Sequence, residues 1–197
     1  LAICARGEKP LNDTAAELGA KDVKIFSQVC DVGEKESLEN FLDKSYENLG
    51  GVDVLINNTS GFGLTDDEQG WNTGFNIDVM ASVRATQKVA PWMRSAGSGN
   101  IIHISSISGL EAGSPPAYAA VKAALINHAK TMAQELAPDN IRVNCVAPGS
   151  IWVEGGFWNV VKDNNPEMYN GVLQNIPFER LGTPEEVANV VVFLASE

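Results

Sequence analysis

The sequence predicts an α/β protein: a doubly wound parallel sheet in three layers, with helices covering both faces. Short apolar, β-branched runs alternate along the chain with amphipathic stretches of helical period. Those runs are nearly continuous in apolar residues, as strands buried on both faces are. Each also ends in a polar or turn residue, in order Arg6, Asp31, Asn57, Ser106 and Pro148-Gly149. In sheets of this class, ligands bind beyond the carboxyl ends of the strands. A core alone explains the apolar runs but gives no reason for polar groups to recur at one end.

In order, Leu1 to Ala5 reads as a strand and Lys9 to Leu18 as a short helix ending at Gly19. Val23 to Val29 is a second strand, and Glu34 to Leu49 an amphipathic helix stopped by Gly50-Gly51. Val52 to Ile56 is almost wholly apolar and is expected to be a central strand buried on both faces. A glycine-rich loop over 58–70 leads into a long helix, 71–95, with a kink expected at Pro91. Ile101 to Ile104 is the next strand, ended by Ser105 and Ser106, after which Gly109 and Gly113 let the chain turn. Ser114-Pro115-Pro116 starts a helix, with a hydroxyl at the cap and proline in the first turn; apolar residues continue to Leu136, and Pro138 stops it. Ile141 to Val146 is another strand, 149–176 is irregular with short helices, and Thr183-Pro184 opens a last helix to Ser196 with acids in its first turn.

No repeat, low-complexity tract or linker interrupts this pattern, so residues 1–197 read as a single domain. The chain opens inside a strand on Leu1 and stops directly after an apolar helix. It is therefore expected to be an internal piece of a longer protein.

At 197 residues and 44 % hydrophobic, the chain has ample material for one core. Its 25 acidic against 14 basic residues give a formal charge of −11, which argues against nucleic acid or an anionic membrane as partner. Cys4, Cys30 and Cys145 are odd in number and lie in apolar runs, the setting of buried reduced thiols. No His/Cys cluster has ligand spacing, so no metal site is expected. No apolar run is long enough for a membrane helix and no signal peptide is visible, so a cytoplasmic location is expected.

Tyr118 and Lys122 lie four apart on the helix after the Ser105-Ser106 strand end, so both side chains share one face. A free phenol, with pKa about 10, is a poor base at neutral pH, and a nearby ammonium favours its phenolate. Such a tyrosine can exchange a proton with a carbonyl or alcohol oxygen while Ser106 hydrogen-bonds the same oxygen. Tyr-x-x-x-Lys alone is a weak signal that an ordinary surface pair also produces. The serine-rich strand end upstream is what makes it specific.

With these residues in place the sequence resembles the classical short-chain dehydrogenase/reductases, the branch that includes 3-oxoacyl-carrier-protein reductases and many carbonyl reductases. The motifs fall in that family's order along essentially the whole chain. The resemblance implies a Rossmann-like sheet lacking its first and last elements here, NADP(H) or NAD(H) as cofactor, and hydride exchange between nicotinamide and a small-molecule carbonyl or alcohol. It implies that Tyr118 protonates the carbonyl oxygen, that Ser106 orients it, that Lys122 favours the phenolate and binds nicotinamide ribose, and that Asn76 maintains a proton relay through its backbone. For the cofactor it implies Asp31 and Val32 at the adenine, Asn57 near the ribose, and Pro148, Gly149 and Ile151 beside the nicotinamide, Ile151 through its backbone.

Arg6 follows Ala5 where the family's acidic residue for NAD would stand. A guanidinium suits the 2′-phosphate of NADP, so NADP(H) is favoured over NAD(H). Two departures stand out: Asn57-Asn58-Thr59-Ser60 matches the family's Asn-Asn-Ala-Gly only at the asparagines, and Val153 stands where a threonine is common. Trp152 to Tyr169, rich in aromatics and glycines, suits a substrate lid or plain packing. An isomerase or dehydratase, and a non-catalytic binding protein on the same fold, remain as alternatives. The helices over 71–95 and 115–137 carry many small residues, from which a homodimer or homotetramer through them is expected.

Overall fold

The computed structural model describes residues 1–196. Strand β1 (Ala2–Ala5) leads into helix α1 (Glu8–Gly19), and β2 (Phe26–Val29) into α2 (Lys35–Leu49). Strand β3 (Val54–Asn57) is followed by α3 (Glu68–Gly74) and α4 (Ala81–Ala96), and β4 (Gly99–Ile104) by α5 (Pro116–Leu136). After β5 (Ile141–Val146) come α6 (Phe157–Asn164), α7 (Pro166–Gln174) and α8 (Pro184–Ala195). All strand pairs are parallel: β1 with β2, and a second sheet in the order β3-β4-β5. The α/β class is as expected from the alternation of periods. No helix among the described residues is long and apolar enough to cross a membrane.

β4 is the middle strand of its sheet, and Asn100 to His103 along it are buried. Ile101 and Ile102 reach 0 % exposure because both faces are covered. β3 departs from expectation. Among the described residues it pairs with β4 alone, and Val54 and Ile56 stay 36 % and 45 % exposed. Apolar content says that a strand favours burial; it does not say which neighbour provides it.

The helix read over 71–95 is two helices. Between α3 and α4, Phe75–Met80 form a π-helical turn, in which Ala81 N donates back to Asn76 O. This turn is an irregularity the sequence reading did not place, and Pro91 sits inside α4. The extra residue in the turn directs Asp78 and Val79 inwards.

The main core packs α2 on α4 and both against the sheet, with Phe41, Val89, Met93 and Ile101 at its centre. Ala81, Ala85 and Ala90 also lie in it, at 4 %, 2 % and 4 % exposure. These small residues of the 71–95 stretch are thus used within the chain, not left over for a neighbour. On α5, Ala129 is buried whereas Ala120 and Ala123 face outwards. Helix α8 starts as its sequence dictates. Thr183 Oγ1 accepts from Glu186 N at 3.3 Å and Glu186 returns a carboxylate to Thr183 N at 2.8 Å, a reciprocal cap.

Candidate functional site

Ser106 stands at the end of β4 and Tyr118 and Lys122 one turn apart on α5. The chain between them is pressed onto the helix. A Cβ at Gly109 would lie 2.6 Å from Ala123 N and 2.7 Å from the Lys122 carbonyl carbon, so only glycine admits this approach. Ser105 Oγ donates to Lys122 O at 2.6 Å. Ser114, expected as the helix cap, instead donates its hydroxyl to Ser108 Oγ at 2.8 Å and closes the loop, while α5 begins on Pro116 without a side-chain cap. Ser106 is 8 % exposed, and its Oγ accepts from Ser108 N at 3.1 Å. That use orients the hydroxyl and keeps its own proton for another acceptor.

Lys122 is 3 % exposed, with Nζ donating to Ile104 O at 3.3 Å. It lies 5.6 Å over the Tyr118 ring, a cation–π contact that holds ammonium and phenol together. Its counter-charge is Asp78, 0 % exposed, whose Oδ1 is 2.9 Å from Nζ. This approach lacks hydrogen-bond alignment, so the attraction is ionic. The other oxygen, Oδ2, accepts from Gly61 N at 2.7 Å. Sequence reasoning missed Asp78. A carboxylate within an apolar helical stretch was the only signal, and the π turn that rotates it inwards leaves no mark in a 3.6-residue period.

Gly61 belongs to the loop after β3, and the next residue was missed as well. Phe62 has φ 48° and is 56 % exposed. Its ring stacks on Tyr118, centroids 6.3 Å apart and planes 15° from parallel, and on Phe157 of α6 at 6.5 Å and 29°.

The remaining predicted residues follow the other strands, except Asn76, which lies in the π turn. Arg6 is exposed just beyond β1. Asp31 Oδ1 accepts from Gly33 N at 2.9 Å, the ordinary turn cap, which leaves its second oxygen to a ligand. Val32 packs against the core. Asn76 does not direct its side chain to Tyr118 or Lys122. Its Nδ2 donates to Gly33 O at 3.0 Å and its Oδ1 accepts from Arg84 at 3.2 Å, so it braces the Asp31–Gly33 turn. Its carbonyl sits in the π turn.

Asn57 points its amide inwards, Nδ2 lying 3.1 Å from His103 Nδ1, and His103 Nε2 is 3.2 Å from His128 Nδ1. With an amide donor on Nδ1, the His103 proton resides on Nε2, which donates to His128 Nδ1. Burial, with His128 alongside, depresses the His103 pKa to about 4, and burial lowers that of His128 too.

Pro148 O accepts from Ile107 N at 3.0 Å, which ties the end of β5 to the turn carrying Ser106. Gly182 N donates to Ser150 O at 2.9 Å and Trp152 N to Gly182 O at 2.8 Å. Ile151 between them turns its own N–H and C=O to the opposite edge, where a ligand amide can pair with both. An exposed guanidinium after β1, a carboxylate oxygen after β2, the outward backbone N–H and C=O of Ile151 beyond β5 and a buried ammonium on α5 are donors and acceptors that suit a dinucleotide.

A family model described as enoyl-(acyl carrier protein) reductase matches residues 1–197. Isoepoxydon dehydrogenase patN of Penicillium expansum is 39 % identical over 168 residues, 84 % of this chain and 65 % of that protein. The chain therefore spans somewhat less than two thirds of that relative. The 3-oxoacyl-[acyl-carrier-protein] reductase FabG of Thermotoga maritima is 36 % identical over 183 residues, 88 % of this chain and 71 % of its own. Among solved structures, L-sorbose reductase from Gluconobacter frateurii, complexed with NADPH and L-sorbose, superimposes with a TM-score of 0.88 at 34 % identity, over 100 % of this chain and 80 % of that one. An NAD+-bound xylitol dehydrogenase does so with a TM-score of 0.92 at 26 % identity, over 100 % and 82 %. Family model, relatives and fold agree, and the chain belongs to the classical short-chain dehydrogenase/reductase family.

Proposed function

We propose that the protein is an NADP(H)-dependent oxidoreductase that interconverts a small-molecule carbonyl and its secondary alcohol, with Tyr118 as general acid and base. The observation that supports this is the Lys122 ammonium, held out of solvent 5.6 Å over the Tyr118 ring, on the helix against which the strand end carrying Ser106 is tied through Ser105. In reduction, Tyr118 gives its phenolic proton to the substrate oxygen as that oxygen gains negative charge. Ser106, its hydroxyl oriented by Ser108 N, donates to the same oxygen and stabilises the charge. The Lys122 ammonium compensates the phenolate left behind, and in oxidation each of these steps runs in reverse.

The nicotinamide, when bound, supplies or accepts the hydride. Ile151 would hold its carboxamide through the backbone, with Pro148 and Gly149 shaping the turn, and Asn57 would leave its backbone to the ribose side. The free carboxylate oxygen of Asp31 and the backbone of Val32 would meet the adenine, and Arg6 would pair with a 2′-phosphate. The exposed, cationic Arg6 after Ala5 supports NADP(H) over NAD(H). The protein acts as a dimer or tetramer of identical chains.

The test is Tyr118→Phe in the full-length protein. Reduction of a reactive dicarbonyl with NADPH falls at least ~100-fold, the scale of general acid catalysis, while NADPH binding is retained. Turnover near that of the wild type would remove Tyr118 from the mechanism.

A further inference from the structure

We infer that Phe62 is a substrate-contacting residue that sets specificity, and that the site beside Tyr118 accepts a carbonyl compound bearing a flat, apolar ring beside the reacting group. The inference rests on the reading of Ser106, Tyr118 and Lys122 given above and names the substrate class for that site. Phe62 combines three properties that core packing does not explain together. Its backbone is left-handed, φ 48°, where a bulky residue is strained. Its side chain gains little from folding, being 56 % exposed. Yet the loop holding it is anchored firmly. Gly61 N donates to the buried Asp78 carboxylate at 2.7 Å, Phe62 N to Ser60 Oγ at 3.3 Å, and Leu64 N to Phe62 O at 2.8 Å. Asp78 is also the counter-charge of Lys122, so one buried group positions both the ammonium and the loop that presents the ring.

What the anchored ring faces gives the ligand its shape. Its plane is 15° from that of Tyr118 and 29° from that of Phe157, which is itself 41 % exposed. The rings of Phe62, Phe157 and Tyr118 itself, from three separate segments, thus form a stacked wall. A ligand whose own face lies parallel to them, offset along the stack, gains contact over its whole area. A flexible alkyl chain packs on such a wall too, but it draws no advantage from the alignment and loses rotamer freedom on binding.

The experiment compares kcat/KM of the full-length protein on three α-diketones of similar reactivity: butane-2,3-dione, octane-2,3-dione and 1-phenylpropane-1,2-dione. Each is run with NADPH and with NADH, in the wild type, Phe62→Leu and Phe62→Tyr. The wild type prefers 1-phenylpropane-1,2-dione to octane-2,3-dione at least tenfold. Phe62→Leu, which keeps apolar bulk but removes the flat face, lowers that ratio at least fivefold, and Phe62→Tyr preserves it. A loss of fold or of the proton donor lowers all three substrates together and leaves the ratio alone. Turnover of butanedione with no preference for the phenyl compound, or a ratio unchanged in Phe62→Leu, overturns the inference and leaves the oxidoreductase reading standing. Turnover of none of the three by the wild type with either cofactor overturns that reading and the inference with it.

Discussion

Lys122 and Asp78 are both nearly devoid of solvent contact, at 3 % and 0 % exposure, and each is the other's counter-charge. Removing one partner of such a pair leaves an uncompensated buried charge, which costs about 3–5 kcal/mol. Asp78→Asn keeps the shape and can still accept from Gly61 N, so the loss isolates the charge. We expect the midpoint of chemical denaturation to fall by an amount equivalent to about 3 kcal/mol, and Asp78→Asn combined with Lys122→Met to recover part of it. A single variant within about 1 kcal/mol of the wild type would mean that the pair is well solvated after all.

At this scale the sequence was informative where chemistry sits on regular spacing. Tyr118 and Lys122 share a helix face because four residues make about one turn, and Ser106 follows from the end of an apolar run. Asp78 and Phe62 were illegible for a definite reason. Each owes its position to local backbone, a π turn in one case and a left-handed φ in the other, that no apolar period encodes.

Among the elements, β3, β4 and α5 are joined through the interior by the Asn57–His103–His128 chain, and this has a consequence in acid. Burial lowers the folded-state pKa of His103 to about 4, below the ordinary value of 6.5 that the unfolded chain recovers. Between those values the unfolded chain binds a proton that the folded chain refuses. Stability is therefore full above about pH 6.5 and is lost as pH falls towards 4. The contribution of His103 is about 3 kcal/mol, since a tenfold change in proton affinity corresponds to about 1.4 kcal/mol. The neighbours that bear on this are His128, also lowered by burial, and Glu135 on the same helix, which opposes that lowering. Measured by denaturation at pH 7, 6, 5 and 4, His103→Gln gives a flatter dependence than the wild type, since its amide does not titrate. Parallel curves would show that His103 is not the group responsible.

Strand and helix order was readable because the two periods differ. The broken helix at 75–80 and the exposure of β3 were not, since one depends on an extra residue within a turn and the other on a neighbour that the strand's own residues do not specify.

For the molecule as a whole, the question is which surface meets a second copy. The reading from small residues named both long helices, but Ala81, Ala85 and Ala90 of α4 are buried within the chain. What remains outward on α5 is Ala120 and Ala123. The neighbouring α3 packs against α5 and continues into the π turn, and Trp71 and Phe75, four residues apart, are 41 % and 53 % exposed there. Large aromatics beside small residues on adjoining helices form a self-complementary surface, since the rings of one copy can fill the hollows over the alanines of the other. The prediction is a two-fold dimer through α5 and this aromatic edge, doubling to a tetramer if a second face is used. Ala123→Arg introduces a charge that would face its own image across the axis, and it should convert the assembly to a smaller species in sedimentation. Phe75→Ser should weaken it as well, while Lys9→Ala, on the distant and exposed α1, should leave it intact. A wild-type protein that sediments as a monomer at micromolar concentration would rule out the dimer, and one whose assembly survives both Ala123→Arg and Phe75→Ser would place the interface elsewhere.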